Sequence, residues 1–335
     1  MAIKEKLKND QNNLISKLLK LLSSRSIHFI LGAGFNNNFL PLAKDLLNTI
    51  AKIKDTLNLK DDKKIDNIEE WINEQIQVHP NKRTDIETAF LEGLKEDLTL
   101  DNNETYKDIL KQIKQIDNEK DKEEKTKQLE EINLFLKQFK KIVLKSSNGN
   151  GNNSYIKKVF FWTLNYDNLL QKLLVNNKMP HFVIDHENWN SNIIDFSFRN
   201  DQTKIILPSY FIYKIHGNKN KPIIPANTKF ANILEDQQVF EAYIKMKTLL
   251  MDTHGKNLVF IIGYSGNDLH IEQIIGETIS NNNQVIYVNY DEKEQGDFNS
   301  VEENNVLTIK TSQPLNFLTE LFGLILEKLG DENGK

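Results

Sequence analysis

The chain has 335 residues, 39% hydrophobic and 27% charged, enough for a sizeable core in one large domain or two ordinary ones. Its 43 basic and 47 acidic residues leave a net charge of −4 and only three arginines, Arg25, Arg83 and Arg199, so charge makes no case for direct nucleic-acid binding. Cysteine is absent, which excludes disulfides, thiolate nucleophiles and cysteine-held zinc together.

Leu14, Leu18, Leu21 and Leu22 fall on one helical face. Residues 1–20 are charged and periodic rather than a signal peptide, and no stretch approaches the roughly 18 apolar residues of a membrane helix. The expected location is the cytoplasm, with no membrane partner. Residues 27–31 (IHFIL) run into Gly32-Ala33-Gly34, the pattern of a buried strand entering a tight turn, and 41–50 read as the following helix. From 51 to 155 the chain is charge-rich, with apolar residues at helical spacing. Leu129, Ile132, Leu136, Phe139 and Val143 predict a helix of roughly 25 residues with a heptad-like seam. That seam suits either an intramolecular bundle or a surface for self-association or a partner. Residues 146–154 (SSNGNGNNS) read as a polar loop.

Strand character returns at 159–163 (VFFWT), followed by a helical segment at 167–175 and an apolar run at 205–215. A helix is expected at 240–251, a strand at 258–262 (LVFII), a helix at 271–279, a strand at 285–288 (VIYV) and a last helix at 315–329. This alternation predicts an α/β fold: a Rossmann-like doubly wound parallel sheet with a large helical insertion. The sheet domain would comprise 1–50 and 156–335, and the insertion 51–155. In such folds ligands sit at the carboxyl ends of the strands.

Four strand ends carry polar, glycine-flanked residues. Gly32 and Gly34 allow a sharp turn and close backbone approach to a phosphate, although a purely structural turn explains them as well. Thr163-Leu164-Asn165-Tyr166-Asp167 follows the second strand; Asn165 has an amide able to orient a water, and Asp167 reads equally as a helix cap. Of the seven histidines, His216 stands at the end of an apolar run before a glycine. His28 lies within the first strand and reads as core, and no pair has helical metal-site spacing. Gly263-Tyr264-Ser265-Gly266-Asn267-Asp268 follows LVFII, and Asn289 follows VIYV.

In this order the motifs resemble the sirtuin (silent information regulator) superfamily: a GAG turn, a T-x-N-[IY]-D element, His-Gly, a G-[TY]-S element and a late Asn. The TLNYD and GYSGND forms resemble the sirtuin-like NADase branch of bacterial antiphage defence systems. The resemblance covers about 27–50 and 159–289. It implies NAD+ as substrate and no metal, since the family's four-cysteine zinc ribbon has no counterpart here. Asn165 and His216 would be catalytic, Asn165 positioning water or the nicotinamide ribose and His216 acting on ribose hydroxyls. Gly32, Ala33 and Gly34 would approach the phosphates, with Phe35 and Asn36 beside them where the family usually has Ser. Thr163 and Asp167 would adjoin the nicotinamide side. Gly263, Tyr264, Ser265 and Asp268 would line the phosphate and adenosine side, and Asn289 would meet the adenine ribose.

The resemblance implies hydrolysis of NAD+ to nicotinamide and ADP-ribose, depleting NAD in abortive infection. An NAD-dependent protein deacylase and a non-catalytic NAD or ADP-ribose sensing subunit are the alternatives. Control is expected from assembly, either as a homo-oligomer or with a separate defence subunit such as an ATPase of the HerA-type translocase class.

Overall fold

The computed structural model describes residues 15, 18, 26–36, 39–41, 45–60, 65, 68–98, 105–147, 158–185, 209–218, 221–222, 237–251, 257–266, 268–293 and 298–332. Within these, Ile15 and Leu18 are helical and buried. Leu14, Leu21, Leu22 and the 148–154 part of the polar loop lie outside the described residues.

The strands are β1 (Ser26–Leu31), β2 (Lys158–Thr163), β3 (His181–Ile184), β4 (Ser209–Lys214), β5 (Gly217–Asn218), β6 (Lys221–Pro222), β7 (Leu258–Ile262), β8 (Gln284–Tyr290), β9 (Phe298–Glu303) and β10 (Val306–Thr311). The helices are α1 (Leu47–Leu57), α2 (Ile68–Val78), α3 (Arg83–Asp97), α4 (Tyr106–Lys114), α5 (Glu119–Ser147), α6 (Leu169–Asn176), α7 (Gln237–Leu250), α8 (Leu269–Ser280) and α9 (Pro314–Glu332).

Eight strands form one sheet in the order β3-β4-β2-β1-β7-β8-β10-β9, with every neighbouring pair parallel except β9 against β10. The fold is α/β, Rossmann-like and doubly wound. The central strands are apolar almost throughout because both sheet faces are covered. Alternate residues serve the two faces. Phe29, Phe161, Phe260 and Ile286 join one core with α3, α5, α6 and α9. Ile30, Trp162, Tyr213 and Ile261 join the other with α7 and α8.

Helix α5 is the main cover of the first face. Phe139 and Phe135 stand edge-on to Phe29 at 4.8 and 6.0 Å, and both meet Phe322 of α9 at 5.7 Å. Leu129, Ile132, Leu136, Phe139 and Val143 are all fully buried, so the predicted seam packs within the molecule. The helix continues through Ser147, two residues into the stretch expected as loop. Of the helix expected at 41–50, residues 42–44 lie outside the described residues, and α1 covers Leu47–Leu57, across the expected start of the insertion. Its N-terminus is fixed by Asp97 at the end of α3, whose carboxylate accepts the Asn48 and Thr49 N–H groups at 3.0 and 2.9 Å. Gly93 lets α1 and α3 touch, since a Cβ there would lie 2.3 Å from Thr49 Cα.

Strands β3, β9 and β10 were not expected from the sequence. Asn304 and Asn305 (φ 46° and 67°) form the two-residue connection between β9 and β10, and paired left-handed residues are what a tight hairpin requires. Among the described residues no helix is long and apolar enough to cross a membrane.

Candidate active site

The ends of β4, β2, β1, β7 and β8 lie in sequence across the sheet. After β1 the chain turns toward the α5 face, placing Phe35 in that core; after β7 it turns toward the opposite face, where Ile271 of α8 is buried. The crevice of the fold therefore opens at the β1–β7 boundary.

Three glycines join the loops that flank it. Gly32 N–H donates to Ile262 O at 3.1 Å, and Gly34 N–H to Gly263 O at 3.0 Å. A Cβ on Gly32 would stand 2.4 Å from the Gly263 carbonyl oxygen, and one on Gly263 would stand 2.1 Å from Phe35 N. Gly263 also has φ 63°, in the region that favours glycine. The backbone of each loop thus demands glycine in the other. Gly34, Ser265 and Gly266 are exposed and Ala33, Gly263 and Tyr264 are half-buried, so these two loops form an open rim.

Phe35 faces away from that rim. Its side chain is 1% exposed and packs edge-on to Phe135 of α5, which makes it a core residue. Asn36 is also buried, and its Nδ2 donates to Asp167 Oδ2 at 2.8 Å. The other oxygen of Asp167 accepts Leu169 N–H at 2.9 Å from the position before the N-cap, Asn168, whose own side chain makes no cap bond. One carboxylate thereby ties the GAG turn to the start of α6.

Asn165 stands half-buried beyond the end of β2. Its N–H donates to Thr163 Oγ1 and its Nδ2 to Gly32 O, each at 3.1 Å. With the amide nitrogen on the turn, Oδ1 is the end able to accept from a water or a sugar hydroxyl. Thr163 is paired with Lys214 in the parallel β2–β4 register, so Asn165 and His216 each lie two residues past matched positions on adjacent strands.

Lys214 was not singled out from the sequence. It is 1% exposed, and its Nζ donates to Asp167 O, to Asn168 Oδ1 at 2.8 Å and to Tyr166 O at 3.4 Å. This buried ammonium clamps the loop that carries Asn165. A lysine closing the apolar run SYFIYK was the available signal.

His216 is buried, with its Nε2 donating to Asp268 Oδ2 at 3.2 Å. Tyr243 Oη of α7 donates to the same oxygen at 2.8 Å. Asp268 Oδ1 accepts the His270 and Ile271 N–H groups at 2.9 and 3.1 Å, capping α8. Burial opposes ionisation of Asp268, but the bonds from His216, Tyr243 and Ile271 outweigh it and hold the carboxyl down at about 2. Asp268 therefore serves His216 and α8. Tyr264 Oη bonds to the Asp268 backbone, accepting from N–H at 3.2 Å and donating to O at 2.9 Å. Burial raises the Tyr264 phenol, and the Asp268 and Glu272 charges add to the shift.

Asn289 is half-buried near the end of β8, two strands from β1 and four from β4, which leads into His216. Gly217 has φ 73° and begins the short β5–β6 pair directly after His216. His28 is core: its Nδ1 accepts from Trp162 Nε1 at 3.1 Å. Among the described residues no group of three or more His, Asp or Glu side chains is placed to hold a metal.

The arrangement supplies an acceptor amide, a carboxylate-bound imidazole and a glycine-lined rim past the ends of neighbouring strands. No curated protein matches the chain. Residues 159–309, from β2 into β10, match the SIR2-like domain family.

Proposed function

We propose that the protein hydrolyses the nicotinamide–ribose bond of NAD+ to release nicotinamide and ADP-ribose. The observation that carries this reading is the placement of Asn165 and an aspartate-bound His216 at matched positions past adjacent strand ends, beside the glycine rim. The SIR2-like match over 159–309 supports NAD as the ligand class.

Cleavage of this bond passes through an oxocarbenium-like sugar, as glycoside cleavage does. Nicotinamide departs neutral, taking the C1′–N1 electron pair, so the leaving group needs no acid. Asn165 Oδ1 accepts from the attacking water and orients it. The water oxygen bonds to C1′ and its proton passes to the His216 imidazole. The resulting imidazolium is held against Asp268 and then loses its proton to solvent. Per turnover, NAD+ and water give nicotinamide, ADP-ribose and one proton.

Gly34, Ser265 and Gly266 would border the pyrophosphate, and Asn289 would meet the adenine ribose. The sequence resemblance extends the proposal to NAD depletion in antiphage defence within the cytoplasm, gated by self-assembly or by a separate translocase-type ATPase.

Incubating the purified chain with NAD+ and following nicotinamide and ADP-ribose tests the chemistry. Asn165→Ala and His216→Ala should each lower turnover by at least about 10²-fold while the unfolding transition is retained. Nicotinamide release that requires an acyl-lysine peptide would replace hydrolysis with deacylation.

A further inference from the structure

We propose that Asp268 is the positioning residue that makes His216 an effective base, and that Tyr243 tempers it through the same oxygen. This rests on the reading of His216 as the proton acceptor. The resemblance placed Asp268 with the nucleotide-binding residues, yet both of its oxygens are engaged by the protein. β7 leads into the rim and β4 into the histidine; β1 and β2 lie between them in the sheet, and the Asp268–His216 bond spans that separation. That reach joins the rim to the base.

An imidazole bound through one nitrogen to a buried carboxylate has a fixed ring orientation and tautomer. The carboxylate also stabilises the imidazolium that forms when a proton arrives. The other groups around His216 set a weaker background. Lys214 of β4, two residues earlier, is held on the Tyr166 and Asp167 carbonyls. The Tyr166 ring lies 6.1 Å from the imidazole. From α8, Glu272 interacts with Asp268 and its own carboxyl is raised, chiefly by burial. Tyr264 bonds to the Asp268 backbone, and His270 lies against Tyr243 with ring centroids 5.3 Å apart. Asp268 is the anion in hydrogen-bond contact with the ring, with 4% of the His216 and 8% of the Asp268 side chain exposed, so water screens the pair little.

Asp268→Asn is the informative variant, because asparagine caps a helix about as well as aspartate. The full chain is used, with the His216 imidazole resonance assigned by its loss in His216→Gln. NMR titration should show the His216 pKa falling by about one unit or more in Asp268→Asn. It should rise in Tyr243→Phe, where the carboxylate loses its phenol donor. In NAD+ turnover, Asp268→Asn should lower kcat on the order of 10²- to 10⁴-fold with KM nearly unchanged. The acid limb of its kcat/KM profile should move to lower pH, and that of Tyr243→Phe to higher pH. An unmoved His216 titration in Asp268→Asn overturns the inference. So does a raised KM with kcat intact, which would return Asp268 to the substrate. If nicotinamide release requires an acyl-lysine peptide but the titration shifts as stated, the pairing stands and the proposed hydrolysis fails.

Discussion

Gly263 is the residue on which the crevice most depends. Its φ of 63° and the 2.1 Å approach a Cβ would make to Phe35 N come from separate causes, one intrinsic to the residue and one imposed by the opposite loop. Gly263→Ala should cost at least about 2 kcal/mol and move the two loops apart. A lowered urea midpoint together with weakened NAD+ binding would register both effects. Asn165 gains its orientation from the same contact, because its amide donates to the carbonyl of Gly32. His216, Asn165 and the two glycine turns were visible in the sequence as polar residues ending apolar runs. The partnership of Asp268 with His216 was not, because 52 residues separate them and the aspartate also has the local signature of a helix cap. Lys214 was hidden for a related reason: besides Asn168, its partners are backbone carbonyls of another strand's loop, and these have no sequence signature.

At the scale of elements, the long helix shows where periodicity is informative and where it stops. The three-four spacing from Leu129 to Val143 identified α5 and its apolar side. It could not say what that side would meet, since a heptad seam fits a sheet face as well as another helix. Phe139→Ala should destabilise the protein by about 3–5 kcal/mol, because the ring touches Phe29, Phe161 and Phe322. Chemical denaturation measures this, and removal of residues 118–144 should leave no cooperative unfolding transition. Helix α1 shows a different limit. Its start is capped by Asp97 from α3, some fifty positions away, with Leu46 at the cap position making no side-chain bond. Asp97→Ala should cost about 1–2 kcal/mol in thermal unfolding. Strand β9 escaped notice because its residues are mostly polar and exposed, although Asn304-Asn305 was a turn signal; β10 buries only its alternate residues Leu307, Ile309 and Thr311.

For the whole molecule, the doubly wound sheet was legible because its central strands are short apolar runs alternating with helices. Edge strands β3 and β9, covered less fully, lack that signal. Acid sensitivity is a property of the whole fold and can be assigned a sign. Burial lowers His28 from 6.5 to about 3, against a smaller upward effect of its bond to Asn257. The unfolded chain therefore binds a proton that the folded chain refuses between these values. Stability from this group is complete above 6.5 and falls as the pH drops toward 3, by at most about 1.4 kcal/mol per pH unit. Asp268 acts in a lower window, from 3.8 down to about 2. Urea midpoints taken from pH 7 to pH 4 should thus decline already below pH 6.5, before ordinary carboxylates titrate.

The double duty of Asp268 has an evolutionary side. Asp and Asn codons differ by one base, and either residue can cap α8. A single transition would remove the charge beside His216 while leaving the glycine seam, the rim and the helix in place. On the proposed hydrolysis, the scaffold stands one nucleotide change from a protein that retains its ligand without cleaving it. Descendants of such a chain could drift from consuming the dinucleotide to reporting its concentration, and the identity of residue 268 would be the first place to look for that change of trade.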